Sequence, residues 1–329
     1  MRDFFVCDIF DASPKDDLAS MEHPLFSLST RPDRKIRHYE HNGTTITVTP
    51  SVRGRATIHD KDILIYCISQ LMAALNAGRE ISRTLRLTAH DLLVATRRDT
   101  GGDSYTRLRE AFERLAGTRI TTNLAQGGEE TTTGFGLIET WEIVRRTRGA
   151  KGREGRMVSV SVTLSEWLYR AVLSKSVLTL SRDYFTLRKP LERRVYELAR
   201  KHCGSQRSWR ISVPLLHAKA GSDAPVRVFR AALRKMIAAD PLPDYALSEE
   251  EGDILRVTRR RLVEPDPGPA GPLFGASVVG EVRALAPGWD PYALEAEWRG
   301  YWQATGRPNL RAPKAAYLAW VARRVNRSD

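Results

Sequence analysis

The chain has 329 residues, of which 42% are hydrophobic, and its 52 Lys and Arg against 39 Asp and Glu give a formal charge of +13. This composition excludes a disordered chain, and the length predicts roughly two domains with cores of their own. No run approaches the roughly 20 apolar residues that cross a bilayer, and three separated cysteines favour neither a disulfide framework nor a zinc finger, so we expect a cytoplasmic protein with reduced thiols.

The first half of the chain is predicted to contain a hairpin, three helices and two further strands. Residues 34–50 alternate around Asn42-Gly43, which is a strong hairpin signal. The elements predicted after this hairpin are a helix following Asp60, a strand at 84–87, helices beginning at Thr88 and Asp103, and strands at 118–124 and 135–144. Three helices followed by a two-stranded hairpin are typical of a winged helix.

The same order of elements is predicted again after a connecting segment at 158–173. The second set consists of a helix at 189–204, a strand at 208–213, helices at 214–221 and 223–240, and two short strands within 243–260. A second winged helix is the natural interpretation. Residues 263–275 then hold four Pro and three Gly, which predicts a linker.

The predicted fold class is therefore α+β, with two tandem winged-helix domains and a small helical C-terminal module. The predicted boundaries are an N-terminal extension at 1–30, winged-helix domains at 31–160 and 161–262, the linker at 263–275 and a Trp-rich helical module at 276–329. Residues 182–262 carry 18 Lys and Arg against 10 Asp and Glu, a local excess of +8. Because cationic surfaces release counterions from nucleic acid, this charge favours a nucleic-acid partner over a membrane.

The helix predicted from Asp103 has one apolar stripe and one charged side. The charged side consists of Asp103, Arg107, Glu110 and Arg114. Ser104, Thr106 and Arg107 lie in the first turns, where a recognition helix presents side chains to base edges. The sequence leaves a second interpretation open, because i,i+4 pairs of opposite charge also stabilise an ordinary exposed helix. The pairs in question are Asp103 with Arg107, Arg109 with Glu113, and Glu110 with Arg114.

The helix predicted after Asp223 is more one-sided. Arg227, Arg230 and Arg234 lie beside its apolar stripe with no acidic residue among them. Such a face favours contact with DNA, through phosphates if not through bases. Asp223 is predicted to cap this helix, and Pro225 suits its first turn.

With these elements placed, the sequence resembles the replication initiator protein A family of iteron-bearing bacterial plasmids. The segments that carry the resemblance are 101–123, 184–204, 209–221 and 226–245. It implies a tandem winged-helix protein that binds directly repeated origin sites, the iterons, and helps to open an adjacent AT-rich region. It also implies recruitment of the host initiator DnaA and the replicative helicase DnaB, autorepression of its gene, and a homodimer in equilibrium with a DNA-binding monomer.

The resemblance carries DNA contacts over to both candidate recognition helices. The implied DNA-binding residues are Ser104, Tyr105, Arg107 and Arg109 on the first helix and Arg227, Arg230, Arg234 and Lys235 on the second. A transcriptional regulator of the same fold, without a replication role, is the alternative function. Inverted half-sites beside the gene would favour that alternative, and direct repeats would favour the initiator.

Residues 288–325 place several aromatic side chains on two predicted helices. Most of them are expected to form a small core, because so short a module needs its large side chains. The alternative is that some stack unpaired bases, and the turn at 301–307 loosely resembles the C-terminal module of primosomal and helicase-loading proteins. The candidates for contact with single-stranded DNA or a helicase are Trp298, Trp302 and Arg299.

No catalytic or cofactor motif is predicted. The sequence holds no GxxxxGK[ST] loop, and no His-x-His pair for metal-dependent nicking, so we expect a protein that is not an enzyme and needs no cofactor. His38 and His41 lack companion ligands for a metal. The acidic run 249–253 is interpreted as a solvated turn, and the basic loop 149–153 as a weak phosphate contact.

Overall fold

The computed structural model divides the chain into two compact units, Met1–Arg260 and Arg261–Asp329. The structure describes residues 13–41, 44–126, 129–146, 156–204, 206–260, 276–286, 291–305, 310 and 312–325. Helices and antiparallel sheets alternate in the first unit, so the predicted α+β class is confirmed. The predicted linker at 263–275 and the basic loop at 149–153 lie outside the described residues, and the division at residue 160 stays a prediction.

The first unit begins with elements that the sequence interpretation treated as an extension. Its elements up to residue 179 are β1 (Lys15–Asp17), α1 (Leu18–Glu22), β2 (Arg37–His41), β3 (Thr44–Thr49), α2 (Lys61–Asn76), β4 (Thr84–Leu87), α3 (Ala89–Ala95), α4 (Gly102–Gly117), β5 (Arg119–Gln126), β6 (Glu129–Gly136), β7 (Ile138–Arg146), β8 (Arg156–Leu164), α5 (Glu166–Leu173) and β9 (Val177–Thr179). The helices follow the predicted periodicity, and the Thr88 hydroxyl caps α3 by accepting from the Asp91 amide at 3.1 Å, as predicted.

The remaining elements of the first unit repeat the order helix, strand, helix, helix, strand, strand. After a 3₁₀ turn at Tyr184–Thr186 they are α6 (Pro190–Cys203), β10 (Ser208–Ser212), α7 (Val213–Ala220), α8 (Val226–Ala239), β11 (Tyr245–Glu250) and β12 (Ile254–Arg259). These strands form a sheet in the order β10-β12-β11, and the first half has the equivalent sheet β4-β8-β7. The winged-helix interpretation rests on this repeated order.

The hairpin predicted after the third helix is only partly correct. Strand β5 does pair antiparallel with the next strand, β6, in the sheet β2-β3-β5-β6, but most of the predicted second strand lies in β7, which pairs with β8 in another sheet. Strand β8 falls in the segment that was interpreted as a connection. Alternation of polar and apolar residues, as in β3 and β8, does not by itself specify a pairing partner.

Two hydrophobic cores lie within the first unit. The first contains Phe112 of α4 and extends to Val172 of α5, and the second runs from Leu180 to Val257. Met21 of α1 is fully buried in the second core, so the N-terminal residues complete that core. Cys67 and Cys203 are free and buried, and burial raises the pKa of the Cys67 thiol to about 12.

Buried ion pairs join the elements of the two cores. The Lys61 ammonium at the start of α2 lies 2.6 Å from Asp16 Oδ2 of β1 and 3.0 Å from Glu197 Oε2 of α6, and all three side chains are essentially inaccessible to solvent. Beside them, Asp62 of α2 pairs with Arg193 of α6. Removing one partner of such a pair leaves a buried charge uncompensated, so these contacts hold the two cores in one arrangement.

The second unit consists of α9 (Ala276–Leu285), α10 (Pro291–Ala304) and α11 (Pro313–Val325) in its described part. Its core contains Val282 of α9, Trp298 of α10 and Tyr317 of α11, among others. The Tyr317 hydroxyl donates to the Pro291 carbonyl at 3.2 Å, which satisfies its polar atom inside the core. Among the described residues of both units, no helix is long and apolar enough to cross a membrane.

Candidate nucleic-acid interface

Helix α8 buries one face and exposes a cationic one. Phe229, Leu233 and Met236 pack into the second core at helical spacing. The opposite face carries cations and small or medium side chains, with no acidic residue on it. Its exposed members are Arg227, Val228, Ala231, Arg234, Lys235 and Ala238.

The predicted cap of α8 is wrong. Pro225 occupies the N-cap position and makes no side-chain hydrogen bond to the first turn. Asp223 instead pairs with Arg37, which lies at the start of β2. The Asp223 carboxylate is therefore engaged by Arg37 instead of capping the helix. Helix α8 begins after Pro225, whose ring fixes φ at a value that suits the start of a helix.

Two of the predicted DNA contacts on α8 are paired with the hairpin β11–β12. Arg230 donates to both oxygens of Asp253, at 2.8 and 2.6 Å. Arg234 donates to both oxygens of Glu249, at 2.8 and 2.8 Å. Hydrogen bonding to these guanidinium groups holds the pKa of Asp253 and of Glu249 below the ordinary values. Both bidentate pairs fix the hairpin against α8.

The interpretation of residues 249–253 as a solvated turn is wrong for three of its four acidic side chains. Besides Glu249 and Asp253, Glu250 contacts Arg210 of β10 at 2.7 Å and also pairs with Arg256 of β12. The sequence contained a signal for this pairing, because cations recur every three or four residues along α8 and four acids follow at the next turn. Glu251 alone among these acids is exposed with no ion pair to a described residue.

Arg227 and Lys235 differ from the other two cations of α8. Both side chains are exposed, and within the described part of the chain no acidic residue pairs with either of them. They lie on the open face with Ala231 between them. The charge that α8 offers to an anionic partner is therefore concentrated at these two positions, while Arg230 and Arg234 also hold the hairpin.

Helix α4 offers a smaller open surface than predicted. Ser104 is 9% exposed and Tyr105 packs against the first core, so neither side chain reaches solvent freely. Arg109 Nε lies 3.9 Å from Glu113 Oε1, so this predicted i,i+4 ion pair is confirmed. Ser104 is withdrawn as a DNA contact because it is buried, whereas Tyr105 is half-buried in the predicted apolar stripe and stays a prediction as a DNA contact.

The other two predicted pairs of α4 do not form. Arg114 turns to the N-terminal end of α2, where Nε and Nη2 donate to Asp60 at 2.7 and 2.8 Å. Arg107 is exposed in the second turn, and no described acidic residue pairs with it. Thr106 beside it is also exposed. The first two turns of α4 thus present Thr106 and Arg107 to solvent.

The candidate single-strand contacts of the C-terminal unit are largely occupied within it. Trp298 is 3% exposed in the core, which leaves no ring face free for a base, so this candidate is withdrawn. Trp302 is half-buried against the same core. Arg299 pairs with Glu295 at 2.6 Å, one helical turn earlier. Among the side chains of α10 that the structure describes, Tyr301 is an exposed aromatic one, at 53%.

No cluster of three or more metal-ligating side chains occurs among the residues that the structure describes. His38 Nδ1 lies 2.9 Å from the Thr47 hydroxyl on the neighbouring strand, which gives this ring a structural partner. The His41 side chain is not among the described ones.

Comparisons with known proteins find a family, a relative and a similar fold. The profile of the family described as replication initiator protein A matches residues 15–247. A protein of Wigglesworthia glossinidia brevipalpis called "Putative replication protein" is 38% identical over 248 residues, which span 74% of this chain and 88% of that protein. A crystal structure of domains 2 and 3 of RctB has a TM-score of 0.51 and 14% identity, and it covers 78% of this chain and 99% of its own. That likeness concerns the fold alone.

Proposed function

The chain belongs to the replication initiator protein A family, and we propose that it initiates plasmid replication by binding directly repeated sites, the iterons, in duplex origin DNA. In this proposal the protein acts without catalysing a reaction, in the cytoplasm and bound to its plasmid. The further steps are those of an initiator of this kind: opening of an AT-rich region, recruitment of DnaA and DnaB, and autorepression.

The open face of α8 is the observation that carries the proposal. A helix that enters the major groove needs cations at its margins for phosphates or guanine edges, and small side chains where the backbone approaches the bases. Arg227 and Lys235 supply the cations, and Ala231 is the small residue between them. The hairpin contacts of Arg230 and Arg234 support the same orientation, since they keep the neighbouring strands beside the helix.

Helix α4 supports a second contact. Thr106 and Arg107 are exposed in its first turns, which is the part of a recognition helix that meets base edges. Two such helices held in one compact unit would contact two segments of the same duplex. The expected binding site is therefore a single motif of about two helical turns.

The test is selection of bound sequences from a random duplex library at roughly physiological salt, where phosphate attraction alone does not dominate. We expect one motif, present as direct repeats beside the gene. Replacing Arg227 and Lys235 with Ala should weaken binding to the selected motif by about 1–3 kcal/mol for a base contact, or lower the salt dependence by about one ion for each phosphate contact. Lys175→Gln, an exposed cation outside both helices, is the control.

Two results would contradict the proposal. A library that yields no motif would mean that the charge binds duplexes indiscriminately. A motif made of inverted half-sites, without direct repeats, would favour the transcriptional regulator instead. Unchanged affinity and salt dependence in the Arg227 and Lys235 variant would exclude α8 as the contact even if a motif were found.

We also infer that the C-terminal unit contributes a contact to single-stranded origin DNA. Tyr301 supports this inference because its ring is exposed on α10, and aromatic side chains stack on unpaired bases without sequence preference. The contact would follow the opening of the origin rather than the binding of the repeats.

A further inference from the structure

Residues 31–37, which we call the arm, form a cationic surface just before and at the start of β2. Arg31, Arg34 and Lys35 are exposed there. Within the described part of the chain, no ion pair or side-chain hydrogen bond occupies Arg34 or Lys35. Neither residue lies on α4 or α8, so the proposed function does not account for them.

The arm is fixed to the first unit by the single acid that it contains. Asp33 Oδ2 accepts hydrogen bonds from Arg55 Nη2 at 3.0 Å and Arg37 Nη2 at 3.2 Å, and Arg55 is 1% exposed. Burial alone would raise the pKa of Asp33, but the Lys35 amide and the two guanidinium groups hold it below its ordinary value. The Asp33 carboxylate therefore pairs with Arg55 and Arg37 and does not neutralise Arg34 or Lys35.

One end of the arm contacts the approach to α8. Arg37 pairs with Asp223, two residues before the N-cap Pro225. The turn that holds Asp223 is also close to the first half of the chain at Gly221, where a Cβ would lie 2.5 Å from Pro24 Cβ. The arm is thus joined to the approach to α8 by an ion pair, and a segment that precedes the arm packs closely against the same turn.

The other side of the arm is joined to α4 through the turn at 51–54. A Cβ at Gly54 would lie 3.0 Å from the Asp33 amide nitrogen, so this turn is in contact with the arm. In the same turn, Arg53 Nε lies 3.1 Å from Glu113 Oε2 in the C-terminal half of α4. The arm is therefore connected to both candidate recognition helices, directly near α8 and through this turn to α4.

We propose that the arm is a third contact to duplex DNA, in which Arg34 and Lys35 bind backbone phosphates between the segments contacted by α4 and α8. This inference rests on the proposed function of those two helices. When both helices engage one duplex, an element connected to each of them faces the stretch of backbone that separates their sites. Two cations without acidic partners among the described residues then meet a row of phosphates, which are the commonest protein contacts on duplex DNA.

The test measures how the binding constant for the selected motif depends on salt, for Arg34→Gln, Lys35→Gln and the double variant. Each phosphate contact contributes about 0.9 to the slope of log K against log salt. We expect the double variant to lose about 1.8 from the magnitude of that slope and to weaken on specific and random duplexes alike. Lys175→Gln should leave the slope unchanged, and thermal unfolding should be the same for all four proteins because the replaced side chains are exposed.

Hydroxyl-radical footprinting locates the contact. The wild-type protein should protect the sugar-phosphate backbone between the two recognition segments, and the double variant should lose protection there while it keeps both flanking segments. A variant with the wild-type slope and footprint would overturn the role of the arm and leave the proposed function standing. A wild-type protein that selects no motif would instead overturn the proposed function, and this inference with it.

Discussion

Removing the Asp62 carboxylate should strongly destabilise the first unit, because it leaves a guanidinium buried without its counter-charge. Asp62 of α2 and Arg193 of α6 are 1% and 2% exposed, and Asp62 Oδ2 also accepts from Arg98 Nη2 at 2.9 Å. Burial alone would lower the pKa of Arg193, but the charge of Asp62 raises it. After Asp62→Ala, the Leu187 carbonyl would still accept from Arg193 Nε, at 2.7 Å in the intact protein.

The free energy of unfolding should fall by about 3–5 kcal/mol, the usual effect of removing one partner of a buried ion pair. Arg193 cannot avoid this penalty by losing its proton, because the pKa of an arginine lies far above the pH range of the experiment. The loss caused by Asp62→Ala should therefore be the same at about pH 5.5 and about pH 8.5. For a unit of this size it corresponds to a fall of about 6–20 °C in Tm.

The assay is calorimetric unfolding of the full chain. Asp183→Ala is the matched control, because Asp183 pairs with Arg97 at 3.1 Å on the surface, where the two side chains are 60% and 49% exposed. An exposed pair of this kind contributes about 0–1 kcal/mol. Asp62→Leu combined with Arg193→Met should recover most of the lost stability, since an apolar pair of similar volume often replaces a buried ion pair at no cost.

The reasoning would be refuted by an Asp62→Ala variant that is as stable as the Asp183 control. It would also be refuted by a double variant less stable than Asp62→Ala, because the penalty would then not come from the uncompensated charge. A loss that vanished at one end of the pH range would point to a titrating group other than Arg193.

Two further predictions concern the C-terminal unit and the approach to α8. Trp298→Ala should destabilise the C-terminal helices by about 3–5 kcal/mol, which circular dichroism measures. Tyr301→Ala should keep their helix content and weaken binding of an oligothymidylate by about 1–3 kcal/mol in a binding titration. Unchanged binding of the Tyr301 variant would remove the single-strand contact. Gly221→Ala should lower the free energy of unfolding by about 1–3 kcal/mol more than Gly78→Ala does. Both glycines have φ near +66°, but only at Gly221 would a Cβ overlap Pro24. Equal losses of stability in denaturant unfolding would show that the backbone near Gly221 shifts to accommodate the methyl group.

Local patterns predicted the helices well and the strand pairing poorly. The helical spacing after Asp60 and the cap at Thr88 are properties of residues within a few positions of one another, so the sequence specified α2 and α3 directly. The pairing of β5 with β3 joins residues that are far apart in the chain, such as Thr122 with Ile46. Nothing local distinguishes that partner from β7, which alternates in the same way.

The candidate interface was predictable as a face but not as a set of free charges. Periodicity alone placed Arg227, Arg230 and Arg234 beside the apolar stripe of α8. Each cation is available to DNA only if no acidic side chain of the hairpin β11–β12 pairs with it. The positions of those acidic side chains follow from the register of β11 with β12, in which Glu249 lies opposite Leu255. A shift of one residue in that register would turn the Glu249 side chain to the other face of the sheet and release Arg234. The charge that α8 offers to a partner is therefore set by strand pairing as much as by the helix sequence.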